Sequence, residues 1–263
     1  MKPWSPELLE WVSARPHLHL FTDFDGTLAP IAPRPEAARL PERARAALVR
    51  LVARPRTEVV VVSGRPIETL RALLPVDGLT LVGNHGMETL YPDGRREEDP
   101  LATRARPLIA RLGAEVAARA SATEGAVLEN KGLSLSLHTR LVESDEERAR
   151  LEREVVALAE AEPALAHSGG KRIVEIRPRG APHKGDAALR LLASAHGPDW
   201  PPACAALFLG DDLTDEDGFR ALQKTGAGIR VLDGTPAPTS ANFTASGTND
   251  ALAFLEALAL SGE

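Results

Sequence analysis

The sequence predicts an α/β protein, a doubly wound parallel-sheet core interrupted by a smaller α+β unit. Short, near-continuously apolar runs recur between helical patterns, as strands covered on both faces do. Three of these runs end in polar turns: Asp23-Phe24-Asp25-Gly26-Thr27, Ser63-Gly64-Arg65 and Gly210-Asp211-Asp212. The middle of the chain changes to an alternating, antiparallel pattern. Residues 1–100 and 181–263 are assigned to the core, and 101–180 to the insertion.

The elements follow in order. Leu18 to Phe21 is apolar, and a strand over 18–23 leaves Asp23 and Asp25 at its C-terminal end. Residues two apart on a strand project to one side, and Gly26 permits a tight turn after them. Ala44 to Ala53 and Ile67 to Leu74 read as helices, with strands near 58–62 and 79–83. Thr89 to Glu97 contains Pro92-Asp93-Gly94, the turn of a small hairpin. The insertion reads as a helix (Leu101 to Ala120), Ala126 to Glu129, the alternation of Leu133, Leu135 and Leu137, a helix (Asp145 to Glu160), and Ile173 to Ile176. That order predicts an antiparallel sheet with one face on helices, bounded by Pro100 and Pro178-Arg179-Gly180. His183-Lys184-Gly185-Asp186 opens a helix through Ala187 to Ala195, and strands near 205–209 and 227–231 complete the core. Thr214, with Asp217 three residues on, reads as the N-cap and capping-box acid of the helix after Asp211 and Asp212.

Composition narrows the function. With 263 residues, 43% of them apolar, the chain can bury a full core of one large or two modest domains. A net charge of -6 offers no basic excess for nucleic acid. Cys204 is the sole cysteine, so no intrachain disulfide forms, and its apolar run predicts a buried thiol. No apolar run approaches the roughly 18 residues of a membrane span, so a cytoplasmic protein without a membrane partner is expected.

The strand-end residues define candidate chemistry. A carboxylate nucleophile that forms an acyl phosphate needs a partner to move protons to the leaving oxygen and from water, which Asp23 and Asp25 supply together. An acidic turn, a helix cap at Ser63 and a solvated Lys184 are the plainer readings of the same residues. Their order resembles the haloacid dehalogenase-like phosphatase superfamily, with its DxD loop, Ser/Thr strand end, lysine and acidic loop. That resemblance implies Asp23 as nucleophile, Asp25 as acid and base, and Ser63 and Lys184 on the phosphoryl oxygens, with Thr27 in the same loop contacting substrate. Carboxylates gathered at one site repel without a hard cation, which points to Mg²⁺. By the resemblance, Asp23, the Asp25 carbonyl and Asp211 are its ligands, with Asp212 and Asp215 positioning ligands or waters.

A narrower resemblance lies in Gly83-Asn84-His85-Gly86-Met87-Glu88, Glu129-Asn130-Lys131-Gly132, Leu137-His138-Thr139-Arg140 and Val174-Glu175-Ile176-Arg177-Pro178. These look like the trehalose-6-phosphate phosphatase family. The implied activity is hydrolysis of trehalose 6-phosphate to trehalose and phosphate, with a functional link to a trehalose-6-phosphate synthase. Glu129, Lys131, His138, Arg140 and Glu175 would bind the sugar; the alternative is cross-strand ion pairing on a solvated sheet. Thr139 stands where the family commonly has an aromatic residue. Arg65 and His85 each either contact substrate or shape their loop. Another capped sugar phosphatase, for sucrose phosphate or a mannosyl phosphoglycerate, and a non-catalytic sugar-phosphate sensor remain the competing functions.

Overall fold

The computed structural model describes residues 2–32, 35–170, 172–234 and 237–261. Its elements run β1 (Lys2–Pro3), α1 (Pro6–Ser13), β2 (His17–Thr22), α2 (Glu42–Ala53), β3 (Thr57–Val62), α3 (Ile67–Leu73), β4 (Thr80–Gly83), β5 (Glu88–Leu90) and β6 (Arg96–Glu98). Then come α4 (Pro100–Ser121), β7 (Val127–Asn130), β8 (Leu135–His138), α5 (Asp145–Glu160), β9 (Leu165–Gly170) and β10 (Ile173–Pro178). The chain ends with α6 (Lys184–His196), β11 (Cys204–Gly210), α7 (Asp215–Leu222), β12 (Ala227–Val231), β13 (Phe243–Ala245) and α8 (Thr248–Leu260).

Two compact units result, Met1–Glu97 with Pro182–Glu263, and Glu98–Ala181. In the first, the sheet order is β1-β13-β12-β11-β2-β3-β4-β5-β6. Pairing is parallel from β1 through β4 and turns antiparallel at β5. Each strand alternates between two cores. Val59 and Val61 join Leu20, Leu48 and Leu255 on one face, while Val60 and Val62 join Phe21, Phe208 and Phe219 on the other. Both faces are covered, which is why these strands read as continuous valine and leucine rather than alternating. From β2 the chain winds outward to β3 and β4, and after the insertion it returns to β11 on the other side. The gap beyond the C-terminal ends of β2 and β11 is therefore the topological switch point, where open α/β sheets bind ligands.

The second unit is a four-stranded antiparallel sheet, β7-β8-β10-β9. Leu135, Leu137, Val174 and Ile176 pack with Ile109, Leu112 and Val116 of α4 and Leu151 and Val155 of α5. Asp99 caps α4, accepting from the backbone N–H groups of Leu101 (2.9 Å) and Ala102 (3.1 Å). The predicted parallel strands and the 89–97 hairpin are present, and Cys204 is buried. Elements absent from the sequence prediction have weak local signals. In β9 only Leu165 is strongly apolar, and pairing along β10 from Ile173↔Gly170 to Pro178↔Leu165 makes it a strand. The α8 run Ala251-Leu252-Ala253-Phe254-Leu255 is apolar nearly all round, so no polar face marks its period.

Close approach of α6 to α7 sets the position of Lys184. A Cβ on Gly185 would lie 2.3 Å from the Asp217 carbonyl oxygen and 3.1 Å from Ala221 Cβ. Backbone cannot yield as a flexible side chain does. Gly185→Ala should therefore lower unfolding stability in urea by about 1–3 kcal/mol; an unchanged midpoint would show that the two helices part freely.

Candidate active site

The Asp23 loop continues the central strand for one more residue. The Asp23 N–H donates to the Leu209 carbonyl (2.9 Å), which holds its side chain, 5% exposed, at the head of β2 against β11. The loop then closes on itself, with Leu28 and Ala29 N–H donating to the Phe24 carbonyl and Gly26 N–H to that of Ala29. Thr248 Oγ1, from the first residue of α8, donates to the Gly26 carbonyl at 2.7 Å. Gly26 has φ +83°, and a Cβ there would sit 2.2 Å from Asp211 Oδ2. Only glycine lets the loop meet that carboxylate.

Lys184 ties three elements together. Its buried Nζ donates to Asp23 Oδ1 and to Asp215 Oδ1, both at 2.7 Å. The lysine is the first residue of α6, whose start is held by reciprocal bonds between His183 and Asp186: Asp186 N–H to His183 Nδ1 (3.1 Å), His183 N–H to Asp186 Oδ2 (2.9 Å). Asp215 uses its other oxygen, Oδ2, to accept from the N–H groups of Asp211 (3.0 Å) and Asp212 (3.1 Å).

The capping at α7 differs from the sequence reading. Thr214 makes no side-chain cap bond. Its hydroxyl instead donates to Asp212 Oδ1 (2.7 Å), which also accepts the N–H groups of Thr214 (2.8 Å) and Asp215 (3.1 Å). Asp217 turns to Arg220. Thr214 already has helical angles (φ -74°, ψ -20°), so its hydroxyl turns back to Asp212 and not forward to the N–H groups of the first turn.

One ammonium cannot neutralise Asp23, Asp211, Asp212 and Asp215. Burial pushes Asp23 up to about 7 despite Lys184, with Asp212 and Asp211 adding repulsion. Burial, with Asp215 and Asp212 beside it, pushes Asp211 up to about 8. Asp215 is also raised by burial, against the pull of Lys184. At Asp212 burial is outweighed by the Lys184 charge and by bonds from Thr214 and Asp215, which bring it down to about 2. Burial likewise fails to discharge Lys184, which Asp215 and Asp23 hold well above the ordinary lysine range. The opposite movements of lysine and carboxylates have one cause, an excess of negative charge in a dry site. Donor atoms of Asp23, Asp211 and Asp215 lie within 4.8 Å of one another. Hard oxygen donors, and a carboxylate seated where only glycine leaves space, fit a small divalent cation.

Ser63 stands at the end of β3, its hydroxyl accepting from Arg65 N–H (3.2 Å). It does not cap α3, since Ile67 N–H is taken by Glu88 Oε1 at 3.0 Å. Arg65 grips Asp25 with both arms, Nε to Oδ2 (2.6 Å) and a terminal nitrogen to Oδ1 (2.7 Å). Thr27 Oγ1 is 3.5 Å from Asp211 Oδ1. His85 adopts φ +58°, and its ring lies where a Cβ on Gly64 would come within 2.3 Å of Nε2. It therefore shapes the turn beside Gly64. Two supports escaped the sequence reading. Glu88 joins α3 to Asn84, whose Nδ2 donates to it at 2.6 Å. Arg230 bonds both Glu216 Oε1 (2.7 Å) and the Asp211 carbonyl (3.2 Å), bracing the acidic loop from β12. Glu88 lies in the Gly83–Glu88 motif with no role assigned from sequence, and Arg230 is a charged residue in an apolar run that only its burial marks.

In the insertion, Glu129 and Glu175 both pair with Ser136, so the three stand side by side across β7, β8 and β10. His138, two residues along β8, shares that face, and its Nε2 is 3.2 Å from Glu129 Oε2. Lys131 follows β7 in a turn where its N–H donates to the Ser134 carbonyl (3.0 Å). Thr139 is buried, its hydroxyl bonded to Glu152 Oε1 at 2.5 Å. Arg140 lies past the end of β8, exposed and outside the aligned pairs.

Fold and site together define a haloacid dehalogenase-like protein: a parallel sheet whose switch point carries a DxD loop, a strand-end serine, a helix-start lysine and an acidic loop. A trehalose-phosphatase family model matches residues 21–249, and the chain belongs to that family. A trehalose-phosphate phosphatase of Mycobacterium avium is 34% identical over 211 residues, 79% of this chain and 52% of that protein. An uncharacterized glycosyl hydrolase of Mycobacterium tuberculosis is 40% identical over 216 residues, 81% of this chain but 16% of that protein. The chain thus spans about half or less of the length of these two relatives. The structure of Aspergillus fumigatus trehalose-6-phosphate phosphatase, 27% identical, superposes with a TM-score of 0.70 over 99% of this chain and 100% of that one.

The charge imbalance has a measurable sign. Without a cation, Asp23 and Asp211 titrate near 7 and 8 in the folded chain, above their value of about 3.9 when unfolded. The unfolded state then binds fewer protons, so stability falls as pH rises from about 4 to about 8. A divalent cation held by the ionised carboxylates would reverse this loss. The rise in melting temperature on adding Mg²⁺ should therefore be larger at about pH 8 than at about pH 6. A pH-independent rise in a thermal scan would contradict the assignment of these two carboxylates.

Proposed function

We propose that this chain is a phosphoric monoester hydrolase that converts trehalose 6-phosphate to trehalose and inorganic phosphate, with Mg²⁺ as its cation. The observation that supports this reading is the buried Asp23, held by Lys184 through Oδ1 alone, so that Oδ2 is left to the reacting phosphorus. Family membership supports the sugar phosphate. The reaction supplying that substrate is a glycosyl transfer to a sugar phosphate, the work of a synthase.

Asp23 Oδ2 attacks phosphorus in line as the bond to the sugar oxygen breaks, and Asp25 delivers its proton to that oxygen. Asp25 then takes a proton from water, whose oxygen attacks phosphorus and releases Asp23. Asp25 must exchange one arm of Arg65 for the ester oxygen, so Arg65 sets the carboxyl's orientation before the step. The Ser63 hydroxyl, which uses its lone pair for Arg65 N–H, keeps its own hydrogen for a phosphoryl oxygen. Lys184 and the backbone around it hold the second. Asp23, the Asp25 carbonyl and Asp211 would hold Mg²⁺, which supplies neutralising charge to a dianionic ester. Asp212 and Asp215 position these groups through the backbone bonds of the acidic loop. The polar face of Glu129, His138 and Glu175, with Lys131 and Arg140 at its ends, supplies the paired donors and acceptors that a disaccharide needs.

Asp23→Asn should abolish turnover of trehalose 6-phosphate while leaving the protein folded. Asp25→Asn should slow it about a hundred- to ten-thousandfold. Substantial activity in a deamidation-free Asp23→Asn preparation would remove Asp23 as nucleophile. Sucrose 6-phosphate and glucose 6-phosphate, assayed alongside, test the sugar: equal kcat/KM for all three would end the trehalose assignment and leave the phosphatase reading standing.

Recognition is separable from chemistry. Glu175→Ala should lower kcat/KM for trehalose 6-phosphate at least about tenfold, or about 1.4 kcal/mol. Hydrolysis of a small generic phosphate ester should change little. Equal losses on both substrates would place Glu175 in the chemistry or the fold; no loss on either would return it to a solvated sheet face.

A further inference from the structure

At the opposite end of the central strands from Asp23 lies a group of side chains that phosphate chemistry does not use. His19 of β2, His196 at the end of α6 and Cys204 at the start of β11 each offer a donor atom, all within 4.8 Å of one another. His19 Nε2 is 2.9 Å from His196 Nε2 and 3.5 Å from Glu58 Oε2 on β3. A cavity of about 240 Å³, lined by His17, His19, Arg56, Thr57, Glu58 and His196, opens onto the two histidines, with Cys204 buried behind them.

The arrangement is unfavourable as hydrogen bonding alone. His19 is 3% exposed, and its Nδ1 is buried with no partner. Buried polar atoms ordinarily find one. Its other nitrogen faces a second imidazole, which with a third at His17 places three basic rings together, His17 and His196 having centroids 4.9 Å apart. Burial and these neighbours draw His19 down to about 4, so the ring is neutral with a lone pair available. Neutral imidazoles and a thiol suit a borderline-soft cation, and not the hard cation of the carboxylate site.

We propose that His19, His196 and Cys204 form a second metal site, for a divalent cation of the Zn²⁺ class. Glu58 Oε2 lies 3.5 Å from the same His19 Nε2, a carboxylate beside the donor atoms. Ligand bonds of about 2.0–2.1 Å to nitrogen and 2.3 Å to sulfur require donor atoms roughly 3.3–3.7 Å apart in a tetrahedron. The His19 and His196 Nε2 atoms stand 2.9 Å apart and all three donors lie within 4.8 Å of one another, so binding requires small shifts, which half-buried His196, at a helix end, allows. As the sulfur–metal bond forms, the Cys204 proton leaves to solvent; the imidazoles stay neutral and nothing is oxidised or reduced. A fourth position is left for water or an incoming donor from the cavity. The cation would bind the last residue of α6 to β2 and β11, at the far end of the helix that begins with Lys184.

Co²⁺ is the probe. The full chain, stripped of metal and then saturated with Mg²⁺ to fill the carboxylate site, is titrated with Co²⁺ and followed by absorption. One equivalent should give the strong visible bands of tetrahedral cobalt and a thiolate-to-metal charge-transfer band in the near ultraviolet. Zn²⁺ should bleach both and raise the melting temperature. Cys204→Ser should lose the charge-transfer band, and His196→Ala should bind Co²⁺ at least about tenfold more weakly. Asp211→Asn, at the other end of the sheet, should keep the whole spectrum. Circular dichroism confirms that each variant is folded. No binding by the wild-type chain, a spectrum without thiolate charge transfer, or an identical titration in both ligand variants would overturn the site.

Discussion

The ammonium of Lys184, between Asp23 and Asp215, is the interaction on which the rest of the site depends. It joins the head of the central strand to the first residues of α6 and α7, and no partner is exposed enough for water to replace it. Buried ion pairs return little net stability, because desolvation consumes most of the attraction. What this pair supplies is position. With one oxygen of Asp23 committed to Lys184, rotating the carboxylate breaks that bond, which fixes its orientation at the head of β2.

The remaining charge explains why so much backbone is recruited around it. Four carboxylates against one lysine leave the metal-free site short of positive charge, and Asp23 and Asp211 rise toward neutrality in consequence. Asp215 rises with them, while Asp212 escapes that penalty through Lys184 and its bonds with Thr214 and Asp215. Arg230, paired with Glu216, holds the loop from behind without contributing to the carboxylate charge. Glycine sets the distances. Gly26 admits Asp211, and Gly210, where a Cβ would fall 2.1 Å from the Asp215 carboxyl carbon, admits the strut beneath it.

The insertion solves a different problem with the same period-two geometry. Leucine, valine and isoleucine on one face of β8 and β10 bury themselves against α4 and α5. The alternate residues Glu129, Ser136, His138 and Glu175 then have no choice but to share the other face. Among the described residues, no helix in either unit is long and apolar enough to cross a membrane.

Local residue choice was enough to read the buried parallel strands, the leucine alternation of the insertion, the three strand-end motifs and the lysine that opens a helix. Apolar period and turn chemistry are properties of neighbouring residues. The same logic located Asp23, Asp25, Ser63, Lys184 and the acidic loop, because each follows a strand or opens a helix. It failed where pairing or backbone conformation decides. The six residues of β9 become a strand through β10, and Thr214 gives its hydroxyl to Asp212 rather than capping because its own backbone is already helical. Arg65 on Asp25, Arg230 on the Asp211 carbonyl and the His19–His196–Cys204 group join residues far apart in the chain. By itself the sequence determined which strands are buried and which residues stand at their ends. Only the tertiary structure decided which of those residues touch, because hydrogen bonds and ion pairs depend on distance in space, and the crossover topology brings β2, β11 and both ends of α6 together.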